Sequence, residues 1–420
     1  MTTGIILFLT IIGLIVLRVN IVGVLLVAIA YIHFIWGDGA FVYIIEDMWI
    51  AIDKEVLLAI PLFILCGNVM SKGDIAKRLI TIMQELTRPI PGGLAVASIL
   101  TCAVFAAISG SSPVTLIAVG SIAYPGLLKQ NYSRRFSMGA VVAGSTLGII
   151  IPPSIPMILY GIVTETSIVD LFKGGVGPGI FLALMLSFYS FFVNRHIPSQ
   201  AYDIKALTLA LKKGIWSLLM PVILLGGIYS GYFSPTESAA VALAYSLFIE
   251  IFIHRGVTVR DLSDTAVETT IMLGTLFPLL AIAFSINMLL TSQQIPAALT
   301  AWVGSFVSNK ITFILLINVL LLGVGCIMDT ISAIMVLAPL LLQLGQAYGI
   351  DPVHLGIMMT VNLEIGLLTP PVGINLIVAM TAFREDFGLI IKGVLPFIFL
   401  MLAGLLVISF VPELTLWLVR

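Results

Sequence analysis

Two apolar runs of this chain are interrupted by the same short stretch. Residues 148–153 read GIIIPP and residues 366–371 read GLLTPP, so Gly148, Pro152 and Pro153 recur as Gly366, Pro370 and Pro371 at a constant spacing of 218 residues. A Pro-Pro pair removes two backbone donors and pushes the residue before it out of the α region. Neither run can be one unbroken helix. In lipid, freed amides and carbonyls are tolerated only where they face protein or line a cavity, and discontinuous helices of this kind form ion and substrate sites in secondary transporters.

The rest of the chain puts these breaks in a membrane. Of its 420 residues 60% are hydrophobic and 10% charged, whereas soluble domains carry about a quarter charged residues. In a membrane protein the formal net charge of −1 says nothing about nucleic acid, but no basic run is long enough for phosphate binding and no nucleic-acid partner is expected. No positive residue precedes the first apolar run and no small-residue cleavage pattern follows it, so the N-terminus reads as a retained helix. Cys66, Cys102 and Cys326 stand alone in apolar segments, without metal spacing or a disulfide framework.

Charge placement orients the segments. Runs over 4–17 and 21–36 form a hairpin turning at Arg18 and Asn20, with Trp36 at an interface, and 37–55 reads as an acidic non-cytoplasmic loop holding Asp38, Glu46, Asp47, Asp53 and Glu55. Residues 56–70 return through Pro61. Over 72–90, Ile75, Leu79, Ile82, Met83, Leu86 and Ile90 recur at helical spacing opposite Lys72, Lys77, Arg78 and Arg88, an amphipathic helix on the cytoplasmic surface. Residues 92–128 flank ISGSSP (108–113) with basic residues at both ends, the pattern of a re-entrant hairpin. Residues 136–162 cross through the first break, 176–194 return, 214–232 cross again, and 236–253 follow GYFSPTES, with basic loops at 195–213 and 254–264. Residues 266–290 cross through Pro278, 295–308 form a surface segment, and 311–348 form a second hairpin around GCIMDT (325–330). Residues 354–382 contain the second break and 390–412 the last helix. This arrangement places sixteen Lys and Arg on the cytoplasmic side against four outside, with both termini periplasmic.

The two halves repeat one order: a helix with proline, a surface helix, a hairpin, a broken helix. Their hairpins enter from opposite sides, which makes the repeat inverted and brings both tips and both breaks together near the midplane. The expected fold is an all-α polytopic membrane protein with an inverted repeat, two re-entrant helical hairpins and two discontinuous transmembrane helices.

At the first tip Ser109, Gly110, Ser111 and Ser112 offer hydroxyls and open carbonyls beside those of Gly148 and Ile151. At the second, Gly325, Asp329, Thr330 and Ser332 lie beside Gly366 and Thr369. Hard oxygen donors suit a small cation such as sodium, and exposed helix N-termini suit an anionic substrate group. Two equivalent cation sites are expected. The plain alternative is that small residues merely permit close helix packing; the symmetric Pro-Pro breaks opposite favour a site. Asp329 is an acid within an apolar run, either functional or a cap on the following helix. Ser234 and Glu237 have capping-box spacing, Asn362 and Glu364 precede the second break, and His33, His196, His254 and His354 are scattered near helix ends as interface residues. An intramembrane enzyme is not expected: His-Glu-x-x-His is absent, and residues 323–326 read GVGC where a Gly-x-Gly-Asp protease needs its acid.

Several of these motifs carry a resemblance. GSSP (110–113), GIIIPPSIPMILYGIVT (148–164), GYFSPTESAAV (231–241), MDT (328–330), GIDPVHLGI (349–357) and NLEIGLLTPPVGINL (362–376) resemble the large, DctM-like membrane subunit of tripartite ATP-independent periplasmic (TRAP) transporters over nearly the whole length. The resemblance implies a sodium-driven, elevator-type importer of organic acids such as C4-dicarboxylates or sialic acids in the bacterial inner membrane. It implies two partners: a small four-helix membrane subunit (DctQ-like) and a periplasmic solute-binding protein (DctP-like). It puts sodium at Ser109, Ser111, Gly148, Ile151 and Pro153, and at Gly325, Gly366 and Thr369. Substrate contacts are expected from Asp329, together with Ser112, Thr330, Asn362, Pro152 and Pro370. No Walker pattern is present, so the ion gradient must supply the energy. The expected division is a scaffold with the arm helix over 1–91, a transport domain in two halves over 92–175 and 311–385, and scaffold over 176–310 and 386–420. A stand-alone sodium- or proton-coupled carboxylate carrier that needs no binding protein is the alternative.

Overall fold

The computed structural model describes residues 21–36 and 41–420, together with scattered positions between 6 and 19. Most of the expected run over 4–17, its turn at Arg18 and Asn20, the Trp36 side chain and Asp38 lie outside the described residues. Among the described residues the regular elements are all helical, and eight helices are long and apolar enough to cross a membrane.

The chain opens with α1 (Ile21–Trp36), α2 (Val42–Ile52), α3 (Ala59–Lys72) and α4 (Ile75–Thr87). The first helical hairpin follows as α5 (Gly93–Ser109) and α6 (Ser112–Lys129). The first broken helix is α7 (Arg134–Ser145), α8 (Leu147–Ile150) and, past the break, α9 (Ile155–Thr164). Then come α10 (Ile168–Asn194), α11 (Ile204–Tyr229), α12 (Pro235–Phe248), α13 (Val259–Ser292) and α14 (Ile295–Gly304). The second hairpin is α15 (Lys310–Gly325) and α16 (Thr330–Ala347), and the second broken helix is α17 (Pro352–Gly366) and α18 (Ile374–Phe383). The chain closes with α19 (Phe387–Phe410) and α20 (Glu413–Leu416).

Caps and apolar spacing explain where these bounds depart from the sequence reading. The acidic stretch 37–55, expected as a loop, contains α2; its Val42, Ile45 and Trp49 fall on one exposed stripe at helical spacing, and its opposite side packs on α13. Helix α11 begins ten residues before the expected crossing because Asp203 caps it, accepting from the Lys205 and Ala206 amides at 3.0 Å. Helix α13 begins at Val259, not 266, because Thr258 and Asp261 form a capping box. The expected box of Ser234 and Glu237 is present. Pro61 falls in the first turn of α3, where a missing amide costs nothing, whereas Pro278 lies deep inside α13.

Helix α4 buries Ile75, Leu79 and Ile82 against α5 and α11, while Lys77 and also Leu86 face out. Its N-terminus is held by Glu250, a fully buried side chain in the π-helical turn Ile249–His254, which accepts from the Asp74 and Ile75 amides at 3.2 and 3.1 Å. His33, His254 and His354 are all buried side chains with polar neighbours.

Packing falls mainly into two groups, with α4 bridging them through its contacts with α5 and α11. Helix α13 packs on α1, α2 and α3, α12 on α3, and α11 on α4 and α12. The hairpins and broken helices form the other group, and α10 and α19 pack within it: α19 runs along α7, and α10 touches α5, α9, α17 and α19. Where α19 crosses α7, a β-carbon on Gly393 would lie 3.2 Å from the Gly139 amide nitrogen, so the two backbones touch.

Candidate functional site

Each hairpin tip is a pair of helix ends facing a break. At the first tip α5 ends at Ser109, Gly110 adopts the left-handed conformation with φ +60°, Ser111 is extended, and α6 starts at Ser112 with Pro113 in its first turn. The left-handed turn is what glycine permits without strain. Opposite, α8 stops at Ile150, Ile151 is extended, the Pro152-Pro153 bond is cis, and Ser154 caps α9 by accepting from the Met157 amide at 3.4 Å. The Ile155 amide donates to the Gly110 carbonyl at 3.4 Å, tying break to tip.

The second half is built alike. Helix α15 ends at Gly325, and Asp329 caps α16, its carboxylate accepting from the Ser332 amide at 2.9 Å and the Ser332 hydroxyl at 2.5 Å. The Val372 amide donates to the Cys326 carbonyl at 3.3 Å, across the tip and the cis Pro370-Pro371 break.

Two oxygen-rich cradles result. In the first, the Ser109 and Thr115 hydroxyls are 2.8 Å apart, and the Thr115 hydroxyl donates to the Ser111 carbonyl at 2.8 Å. A β-carbon on Gly148 would stand 2.7 Å from both the Ser111 carbonyl and the Thr115 hydroxyl, and one on Gly110 would stand 3.0 Å from the Pro153 carbonyl. In the second, a β-carbon on Gly366 would lie 2.5 Å from Gly325 Cα, and Thr369 donates from its amide to the Gly366 carbonyl at 2.8 Å. Carbonyl and hydroxyl oxygens held against a backbone kept bare of side chain are the donor set a small hard cation takes. The residues present fit sodium at both places.

Between the cradles lies one cavity of about 450 Å³. The first tip contributes Gly110 and Ser111, the second Asp329, Thr330 and Ser332; the breaks contribute Ile155, Leu367 and Ile374. The far wall is α13, with Ile271, Met272, Leu276 and Leu279. Its charged lining residues are Asp329 and Glu268, and Glu268 is paired with Lys72 at 3.0 Å.

The chain matches the family model described as the DctM component of the tripartite ATP-independent periplasmic transporter over residues 8–414. It belongs to that family. It is 40% identical to the C4-dicarboxylate TRAP transporter large permease protein of Pseudomonas aeruginosa, across 87% of this chain and 86% of that one. It is 38% identical to the protein of the same description from Vibrio cholerae, across 98% and 96%. The fold is also similar to the crystal structure of the Alcanivorax borkumensis YdaH transporter, with a TM-score of 0.64 at 13% identity over 89% of this chain and 88% of that one. This TRAP permease is therefore a membrane transport subunit, as the resemblance of its motifs implied.

Of the expected cation residues, Ser109, Ser111, Gly148 and Pro153 lie together at the first tip and Gly325, Gly366 and Thr369 at the second, and Asp329 and Thr330 line the cavity. The other expected substrate contacts do not line it. Ser112 is fully buried and accepts from Asn375 Nδ2 at 2.6 Å. Asn362 is turned to Asn318, donating at 2.6 Å, Pro152 faces Gly175 of α10, and Pro370 is exposed. Sequence reasoning missed Thr115 and Asn375, and named Ser332 at the second tip. Thr115 carried a readable signal, being one helical turn after Ser111; Asn375 carried none, because its partner is 263 residues away.

Proposed function

We propose that this TRAP permease imports an organic acid, delivered by a periplasmic solute-binding protein, in symport with sodium. The observation that carries the reading is the meeting of both tips and both breaks at one cavity. The first sodium is assigned to Ser109, Ser111, Gly148, Ile151 and Pro153, with Thr115 added from the geometry, and the second to Gly325, Gly366 and Thr369. Bound sodium would supply the positive charge that a carboxylate needs, since among the described residues no Lys, Arg or His lines the cavity. Thr330 and Ser332 present hydroxyls to the substrate's polar groups, and Asp329 accepts from its donors. The apolar wall of α13 excludes water from the other side.

An elevator movement fits the packing in two groups. The moving body is assigned to the two halves over 92–175 and 311–385, and the packing of α10 and α19 supports adding both to it, in place of the scaffold role expected from sequence. The scaffold is then α1 to α4 with α11 to α13. The inverted repeat, the inner-membrane location and the periplasmic termini belong to the same reading, as does a separate small four-helix membrane subunit. The C4-dicarboxylate relatives favour a small carboxylate as cargo.

Uptake into proteoliposomes containing the chain and its small subunit tests this, with the binding protein supplied or omitted and sodium replaced by choline. Uptake needing both is the expected result. Uptake without the binding protein would establish the stand-alone carrier, and uptake indifferent to sodium would remove the cation assignments.

A further inference from the structure

One buried amide joins the two halves of the site. Asn375 Nδ2 donates to Ser112 Oγ at 2.6 Å and to Glu364 Oε1 at 3.1 Å. All three side chains are fully buried, at 0% exposure. Ser112 directly follows Ser111, whose carbonyl belongs to the first cradle; Glu364 stands two residues before Gly366, which belongs to the second. The two hydrogens of one amide are thus divided between the two cradles. The cluster is closed to the surface, and Glu364 Oε2 and Asn375 Oδ1 have no partner among the described residues. Moving either acceptor away from the amide leaves a buried polar group unsatisfied, which couples their positions strongly.

The linkage is not repeated by the pseudosymmetry. At the spacing of 218 residues that relates the breaks, Met157 stands where Asn375 does, and Thr330 where Ser112 does. The Thr330 hydroxyl has no partner among the described residues. The first tip is held to the second broken helix, and among the described residues the second tip has no matching side-chain hydrogen bond to the first.

We propose that Asn375 is a positioning residue that couples the two cation cradles, so that ordering one raises the cation affinity of the other. This rests on the sodium assignment above. Coupling of this kind is reciprocal, and its usual range is roughly 5- to 150-fold in affinity.

The test is a sodium titration of the thermal stability of the purified full chain, with choline holding ionic strength constant. Two coupled sites give wild type a Hill slope well above one, bounded by the number of sites. In Asn375→Ala the slope is expected to fall toward one and the midpoint to rise roughly five-fold or more. Ser112→Ala, which removes the acceptor alone, is expected to do the same, and the double variant to add nothing further. Asn375→Ala and Ser112→Ala with the wild-type slope and midpoint would overturn the coupling while leaving the sodium reading intact, as would independent, additive shifts. A wild-type protein whose melting ignores sodium would overturn the sodium reading and this inference with it. If Asn375→Ala fails to assemble, Ser112→Ala decides alone.

Discussion

Gly148 and Ser111 meet backbone to backbone: a β-carbon on Gly148 would come within 2.7 Å of the Ser111 carbonyl oxygen. Nothing flexible can yield there, because the opposing atom is main chain. Gly148→Ala is expected to force the first tip away from α8, at a cost of about 1–3 kcal/mol from overpacking. Uptake should fall at least ten-fold at low sodium and recover partly at high sodium. Sodium-dependent uptake, normalised to the amount of protein in the membrane, checks this.

Asp329 has two tasks that substitution can separate. Asparagine caps helices about as well as aspartate, while alanine loses about 0.5–2 kcal/mol. Asp329→Asn should therefore melt close to wild type, and Asp329→Ala should melt lower. Both should lose substrate uptake if the carboxylate works in the cavity; full uptake in Asp329→Asn would reduce Asp329 to a cap.

The capping box at Ser234 offers a control remote from the site. Ser234→Ala removes the acceptor of the Glu237 amide at 3.2 Å. A loss of about 1 kcal/mol is expected, seen as a lower melting temperature with the sodium and substrate dependence of uptake unchanged.

Glu250 fixes the start of the arm helix. Glu250→Ala leaves the Asp74 and Ile75 amides without their acceptor and opens space where Gly73 and Gly256 pack against the carboxylate. Leaving a buried amide without its acceptor costs about 1–3 kcal/mol, so the N-terminal turn of α4 should fray. Faster hydrogen exchange over residues 74–80, with protection of α5 retained, is the expected measurement.

How much of this was legible follows from where the determining contacts lie. The breaks and tips are local chemistry: Gly110, Pro152 and Pro370 dictate backbone shape within a few residues, and the sequence alone located them. Caps are local too, yet Asp203 and Thr258 lie in basic loops, and charge counting set the helix starts too late. The burial of Ser112 could not be read, because it depends on Asn375 in the other half. The same holds for Glu250, whose neighbours Asp74 and Ile75 lie 176 and 175 residues away in the chain, and for α19, whose apolar sequence suits either group of helices. Burial at Pro152 against exposure at Pro370 was equally invisible, since the two breaks read alike.

The α13 wall of the cavity has a mechanical consequence. Ile271, Met272, Leu276 and Leu279 offer the tips only dispersion contacts, which have no preferred direction and re-form at any register. Directional contact with the second hairpin appears farther along, where Asn287 Nδ2 donates to the Met335 carbonyl at 3.2 Å. In the proposed elevator movement these four side chains would resist separation but hardly resist shear, acting as a bearing with Asn287 as its detent.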